Sequence, residues 1–282
     1  MSKIALITDS TSDLNKEDVE KYNIKVLPLR VIYKDREYMD RVNITPSEVY
    51  DNLVNEVPTT SLPSMLEVNN LFSKLEEEGY THAIAICISS GISGTYNMVN
   101  IASEDYPTIK THVFDSKSLT MGEGAIVIEC GKMIASGKSF EEIVELLPSI
   151  QSRIKVYYVV ETLTYLIQGG RIGKVAGTVG ELLQLKPIIS INEEGTYYTY
   201  SKVRGRNKSI AKLVEIANEA LVKDKSKIWV LHGGALEDGK SLYETISKLP
   251  NLSEVHFGDI SPVLGVHTGP GLLGIVVMRD NQ

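Results

Sequence analysis

Cysteine is scarce. Cys87 and Cys130 are the two in 282 residues, too few for a disulfide framework. Cys87 sits in the apolar run "AIAICIS" and Cys130 in a helix-like segment, so both read as buried, reduced thiols. Long apolar runs are missing as well: no stretch reaches the roughly 18 residues of a spanning helix, and no transmembrane segment is expected. The start, MSKIALITDS, lacks the apolar core and cleavage site of a signal peptide, which points to the cytoplasm. Basic charge is in deficit. The 29 Lys and Arg against 36 Asp and Glu give a formal net charge of −7, which argues against general nucleic-acid binding, since that needs a basic face.

Several chemical signatures are missing too. There is no Walker motif, no GxGxxG after the first strand and no HExxH, so nothing asks for a nucleotide or a metal. His82, His112, His232 and His256 show no metal-ligand spacing with cysteine or acidic partners, and structural roles are their default. No internal repeat or low-complexity tract interrupts the chain.

What is present is an alternation. "KIALIT" (3–8), "IKVLPLRVIY" (24–33), "HAIAICI" (82–88) and "THVFD" (111–115) are short, apolar and β-branched, and predict strands. Between them stand helix starts: Thr45-Pro46-Ser47-Glu48, Ser64-Met65-Leu66-Glu67 and Ser139-Phe140-Glu141-Glu142 are capping boxes, the first with proline at the first helical position. Strands alternating with capped helices imply a mostly parallel, Rossmann-like sheet with helices on both faces. Later come "KVYYVVE" (155–161), a hairpin of "PIISI" (187–191) and "TYYTYSKV" (196–203) around "NEEG", then "KIWVLHG" (227–233) and "LLGIVVM" (272–278). Helices are expected near 207–223 and 239–249. The expectation is an α/β protein of two domains, 1–150 and 151–282, the second smaller and mixed. Ligands in such proteins favour strand ends and domain clefts.

Three polar constellations stand out. In "SSGISGTYN" (89–97), Gly91 and Gly94 permit a tight turn and close backbone approach. The amides near Ser93, Gly94 and Thr95 then open a helix N-terminus that suits an anion. A plain strand-to-helix turn capped by serine is the alternative. In "TTSLPS" (59–64) Ser64 caps a helix, which leaves Thr60 and Ser61 as neutral donors. In "GVHTGPGLLGIVV" (265–277) a glycine-rich loop presents His267, which can donate to an anion or satisfy a loop carbonyl. "TDSTSD" (8–13) reads as an Asp/Ser turn before a helix. Ser93, Asp259 and His267 follow the chain order of an α/β-hydrolase triad, so a serine-dependent lipid or thioester hydrolase is a second reading. Its local pattern, G-I-S-G-T, puts Thr95 where the nucleophile elbow needs glycine.

Taken in order, "TDSTSD", "TTSLPS", "SSGISGTYN", "FDSKSLTMGEG", "LIQGGRIGK", "LLQLKPI", "VRGRNKSI" and "GVHTGPG" resemble the DegV family from about residue 4 to 277. The resemblance implies two α/β domains and an acyl chain buried in a tunnel. It also implies fatty-acid binding without an enzymatic role, as in the lipid-carrying subunit of bacterial fatty acid kinase. That subunit presents the acid for phosphorylation on its carboxylate, at the head of phospholipid synthesis. Carried over, Ser93, Thr60 and His267 contact the carboxylate, with Ser61, Gly94 and Thr95 around them. Arg171 and Arg204 match positions linked with the kinase partner. Leu62 stands where the family often has glutamine. Helical segments 66–76 and 175–185 are candidates to line the tail tunnel, and no catalytic residue, metal or cofactor is implied.

Overall fold

The computed structural model describes residues 3–175, 177 and 186–280. β1 (Ile4–Asp9) leads through a 3-10 turn at Ser10–Ser12 to α1 (Lys16–Lys21) and β2 (Lys25–Leu27). β3 (Arg30–Ile32), β4 (Glu37–Met39), α2 (Pro46–Asn52) and β5 (Thr59–Ser61) follow. Next come α3 (Met65–Glu77), β6 (His82–Cys87), α4 (Thr95–Glu104), β7 (Lys110–Asp115), α5 (Met121–Ala135) and α6 (Phe140–Ser152). The remainder is β8 (Ile154–Val159), α7 (Thr164–Gln168), β9 (Ile188–Ile191), β10 (Tyr197–Ser201), α8 (Arg206–Lys223), β11 (Ser226–Gly233), α9 (Leu236–Ile246), β12 (Leu252–Asp259), α10 (Pro262–Thr268) and β13 (Leu272–Arg279).

All three predicted capping boxes form, at Thr45, Ser64 and Ser139. The segment 24–33, expected as one strand, is divided between β2 and β3 in different sheets. Pro28 lies at the break: it has no N–H for a ladder, and its ring restrains the residue before it. β2-β1-β6-β7 form a wholly parallel sheet. β4-β3-β5 form a small antiparallel one. β10-β9-β8-β13-β11-β12 form a six-stranded sheet in which β11 and β12 alone are parallel. The shorter second half of the chain thus carries the wider sheet, and residue 150 falls in the last turn of α6.

Alternation along the strands builds layers. Ala5, Ile7, Ala83 and Ala85 face α3 and α4, while Leu6, Ile84 and Ile86 face α5 and α6. The far side of α5 and α6 meets Val156, Tyr158, Trp229, Leu231 and Val276 of the six-stranded sheet, whose other face carries α8 and α9. α5 is therefore sandwiched between two sheets. Its sequence, MGEGAIVIECGKMIA, is apolar almost all round, as a helix buried on two sides must be. Ile126, Val127 and Cys130 are fully buried there, each large aliphatic contributing about 1.5–3 kcal/mol by burial. The two domains share this middle layer. A fourth cluster packs α2 and α10 against β3.

Candidate functional site

Thr60 occupies the middle of β5, opposite Val31 of β3. The strand's alternation turns Thr60 inward while Thr59 and Ser61 are exposed. Its hydroxyl meets His267 Nε2 at 2.7 Å, so two segments 207 residues apart are joined at one hydrogen bond. Ser61, one residue on, lies outside that contact. Leu62 turns the other way along the motif, against Gly94: a Cβ on Gly94 would stand 3.4 Å from Leu62 Cδ1.

His267 lies in the last turn of α10, not in the glycine loop expected from sequence. The helix starts where Ser261 caps it and Pro262 takes its first position, a start signal legible in the chain. It stops at Gly269, whose φ of 67° is one that glycine adopts freely. Two first-domain carboxylates hold the start of α10. Asp13 accepts from the Ser261 amide at 2.8 Å and Asp40 from the Val263 amide at 3.0 Å. This explains much of "TDSTSD": Asp9 caps Thr11 and accepts from the Ile88 amide at 2.9 Å, and Ser10 donates to Asp40 at 2.6 Å. Burial pushes Asp13 up to about 6, opposed by Arg41, and Asp40 up to about 7, opposed by its bonds to Ser10 and Val263. Burial likewise raises Asp9 and Glu123.

Burial pushes the His267 imidazole down to about 4, and the nearby Arg171 guanidinium lowers it further. At neutral pH the ring is uncharged, so its contribution to an anion site is hydrogen bonding rather than an ion pair. Nδ1 has no partner and abuts Gly169, where a Cβ would lie 2.1 Å away. Arg171, expected as a partner-facing residue, lines the same groove. Its Nη1 donates to the Gly169 carbonyl at 2.7 Å and its Nε makes a long contact of 3.5 Å with the Ile92 carbonyl. Arg204 is exposed beyond β10. Its neighbour Arg206 makes the tertiary contacts there, to the Gly271 carbonyl at 2.6 Å and to Asp238.

Ser93 ends the loop that leads into α4. Its hydroxyl and that of Thr95 are 2.9 Å apart, and it accepts from the Thr95 amide at 3.3 Å. Gly94 caps α4 without a side-chain bond. Ser93 is tied to the His267 side through Ile92 and Arg171, and through Leu62 packed on Gly94.

The surface beside Thr60 and His267 is an open groove of about 440 Å³, walled by Val57, Pro58, Tyr165, Gln168, Arg171 and Val266 among others. It carries one cation and no carboxylate, so an anion is the charge it favours. Behind it, α10 turns Leu264 and Thr268 towards a small apolar void of about 30 Å³ bounded by Leu119, Val156, Tyr158 and Leu272. Leu231 borders both this void and a cleft of about 370 Å³ on the far side, lined by Met121, Trp229 and Met278. A seam between the domains thus starts at the back of α10, apolar at the void and mixed at the cleft, where Asp18, Lys132, Lys227 and Glu254 join the lining. The expected tunnel-lining segment 175–185 lies outside the described residues except Val175 and Gly177.

The hydrolase arrangement does not form. Asp259 pairs with Arg41 at 3.4 Å, His267 Nδ1 has no carboxylate partner, and Ser93 bonds within its own loop. Among the described residues no cluster of three His, Cys, Asp or Glu is placed to hold a metal, and no helix is long and apolar enough to cross a membrane.

The sequence model of the DegV family matches residues 3–280. The chain belongs to the DegV family. A DegV domain-containing protein of Clostridium acetobutylicum is 59% identical over 279 residues, 99% of this chain and 100% of the relative. One from Staphylococcus aureus is 34% identical, covering 97% and 96%. Among solved structures, a DegV family protein of Thermus thermophilus described by its fatty acid binding superposes with a TM-score of 0.91 at 28% identity, over 99% of this chain and 100% of that one. DegV of Bacillus subtilis, described as a fatty acid binding protein, gives 0.91 at 29% over the same shares. A stearic acid-binding protein of Eubacterium ventriosum gives 0.84 at 32%, over 99% and 98%.

Proposed function

We propose that this DegV protein is a cytoplasmic carrier that holds a long-chain fatty acid. The carboxylate sits at Thr60, Ser93 and His267, and the tail lies in the seam between the domains. The observation that carries this reading is the double face of α10: His267 reaches Thr60 in an anion-favouring groove, while Leu264 and Thr268 line the apolar void behind it. A fatty acid has this division of character. Burying the tail contributes roughly 0.8 kcal/mol per methylene, on the order of 10 kcal/mol gross for a long chain. Ordering the flexible chain removes part of that. The tail enters by parting α5 and α10 from β8, β11 and β13, which widens the void into a channel.

The carboxylate cannot be buried unpaired. Thr60 donates to it only when its own hydrogen is free. That fixes the neutral His267 as the donor through Nε2–H, with Thr60 Oγ accepting. The amides at the start of α4 and the Ser93 hydroxyl supply further donors, and Arg171 supplies the local positive potential. Such a site leaves the carboxylate at a groove open to a partner. It suits presentation to a fatty acid kinase that supplies ATP, metal and phosphoryl-transfer groups to form the acyl phosphate. Arg171 and Arg204 are the candidate contacts for that kinase.

Native mass spectrometry of the purified protein tests the reading. An added mass matching a fatty acid, removed by organic extraction and retained less by Ser93→Ala at unchanged melting temperature, is the expected result. A polar adduct, or none even after incubation with stearate, would defeat it.

A further inference from the structure

One polar group on the apolar void lacks a well-formed hydrogen bond. Tyr158, on β8, is 4% exposed and shares the inward face of its strand with Val156; both line the void. Its hydroxyl is fully buried and makes no well-formed hydrogen bond; the Tyr197 phenol is the polar group that interacts with it. Tyr197 of β10 meets it edge to face, with ring centroids 5.6 Å apart, and brings a second tyrosine to the same wall. Around them stand Leu119, Leu231, Leu264 and Leu272, and the two threonine hydroxyls of the lining are already engaged, Thr120 with Asp13 and Thr268 with the Leu264 carbonyl. Burial pushes the Tyr158 phenol well above its ordinary value, so it stays neutral and keeps its O–H hydrogen. A phenol needs both a donor and an acceptor contact to be satisfied. Leaving it unmatched in a dry channel is unfavourable, and a plain hydrocarbon tail cannot relieve that.

We propose that Tyr158 is a specificity-determining residue, a buried hydroxyl in the tail channel that selects acyl chains carrying a hydroxyl part-way along their length. This rests on the fatty-acid reading and names the substrate class within it. A chain hydroxyl beside Tyr158 exchanges a hydrogen bond with the phenol, whereas a saturated tail leaves the phenol with Tyr197 as its one polar neighbour. The effect depends on position, because the carboxylate is anchored at one end and a given carbon stands at a given depth.

The test compares stearic acid with its 3-, 10- and 12-hydroxy derivatives by displacement of a fluorescent fatty acid, on the wild type and on Tyr158→Phe. In the wild type one positional isomer stands out relative to stearic acid. In Tyr158→Phe that isomer's advantage falls about tenfold, as loss of one buried hydrogen bond implies, while stearic acid binds at least as well as before. Equal ratios in the two proteins would overturn the assignment while leaving fatty-acid binding intact. Should Tyr158→Phe not fold, the wild-type series decides alone: an affinity that does not depend on hydroxyl position refutes the assignment. Failure of every acid to bind the wild type would instead bring down the fatty-acid reading, and this inference with it.

Discussion

Replacing Thr60 by valine isolates the head-group contact from the rest of the fold. Valine keeps the β-branched shape that suits β5 and removes only the hydroxyl, which has two jobs. It meets His267 Nε2 at 2.7 Å, and in the proposed bound state it donates to the ligand carboxylate. A hydrogen bond to a charged group is worth about 1.5–3 kcal/mol, so Kd for a fatty acid should rise roughly 10- to 150-fold. The fold loses at most one neutral bond, about 0.5–1.5 kcal/mol. For a chain of this size that lowers Tm by only a few degrees, at about 2–4 °C per kcal/mol. Titrating acids of increasing chain length separates head from tail. The gain per methylene should be unchanged and the whole series displaced by a constant factor. An affinity within about twofold of wild type at an intact Tm would show that Thr60 does not touch the carboxylate, because one hydrogen bond cannot be lost at that cost. A change confined to long chains would place Thr60 in the tail channel instead.

Gly169→Ala puts a Cβ where His267 Nδ1 stands, 2.1 Å away. The imidazole has to swing off Thr60, so fatty-acid affinity should fall at least tenfold by displacement assay, with the circular dichroism spectrum unchanged. Asp40→Asn addresses the buried carboxylates at the start of α10. Asp40 titrates near 7 in the fold against about 3.9 in an unfolded chain. The folded state therefore binds the extra proton, and this group's stabilising contribution is present below about pH 4 and lost as pH rises to about 7. Integrated, that is on the order of 4 kcal/mol, an upper figure because Asp13, raised to about 6, titrates in the same range. The amide keeps an acceptor for the Val263 amide and does not ionise. Asp40→Asn should therefore melt above wild type at pH 8 and converge with it towards pH 4. Parallel melting curves across that range would show that Asp40 is not protonated in the fold.

Legibility in the sequence followed the range of the interactions. The capping boxes at Thr45, Ser64 and Ser139 were readable because donor and acceptor lie three residues apart. β1, β6, β8, β11 and β13 were readable because burial leaves a continuous apolar run. β5 was not: "TTS" is too short and too polar to signal a strand, and it becomes one because β3 lies alongside. The short α10 was read as loop because its glycines hid a valid start at Ser261 and Pro262. Arg171 gave no sign of lining the groove, since its place depends on Gly169 and Ile92, one near in sequence and one 79 residues away.

By itself the chain determined its class and its local vocabulary: alternating strands and capped helices, hydroxyl-rich turns, and the ordered motifs of the DegV family. These depend on short-range sterics, on capping and on the periodicity of burial, all written in neighbouring residues. Tertiary structure decided which turns meet. It set Thr60 against His267, placed two carboxylates on the start of α10 and buried the Tyr158 hydroxyl beside an apolar void. Those pairings are fixed by packing α10 on α2, β3 and β5 and α5 between two sheets, long-range arrangements that no local stretch of sequence specifies.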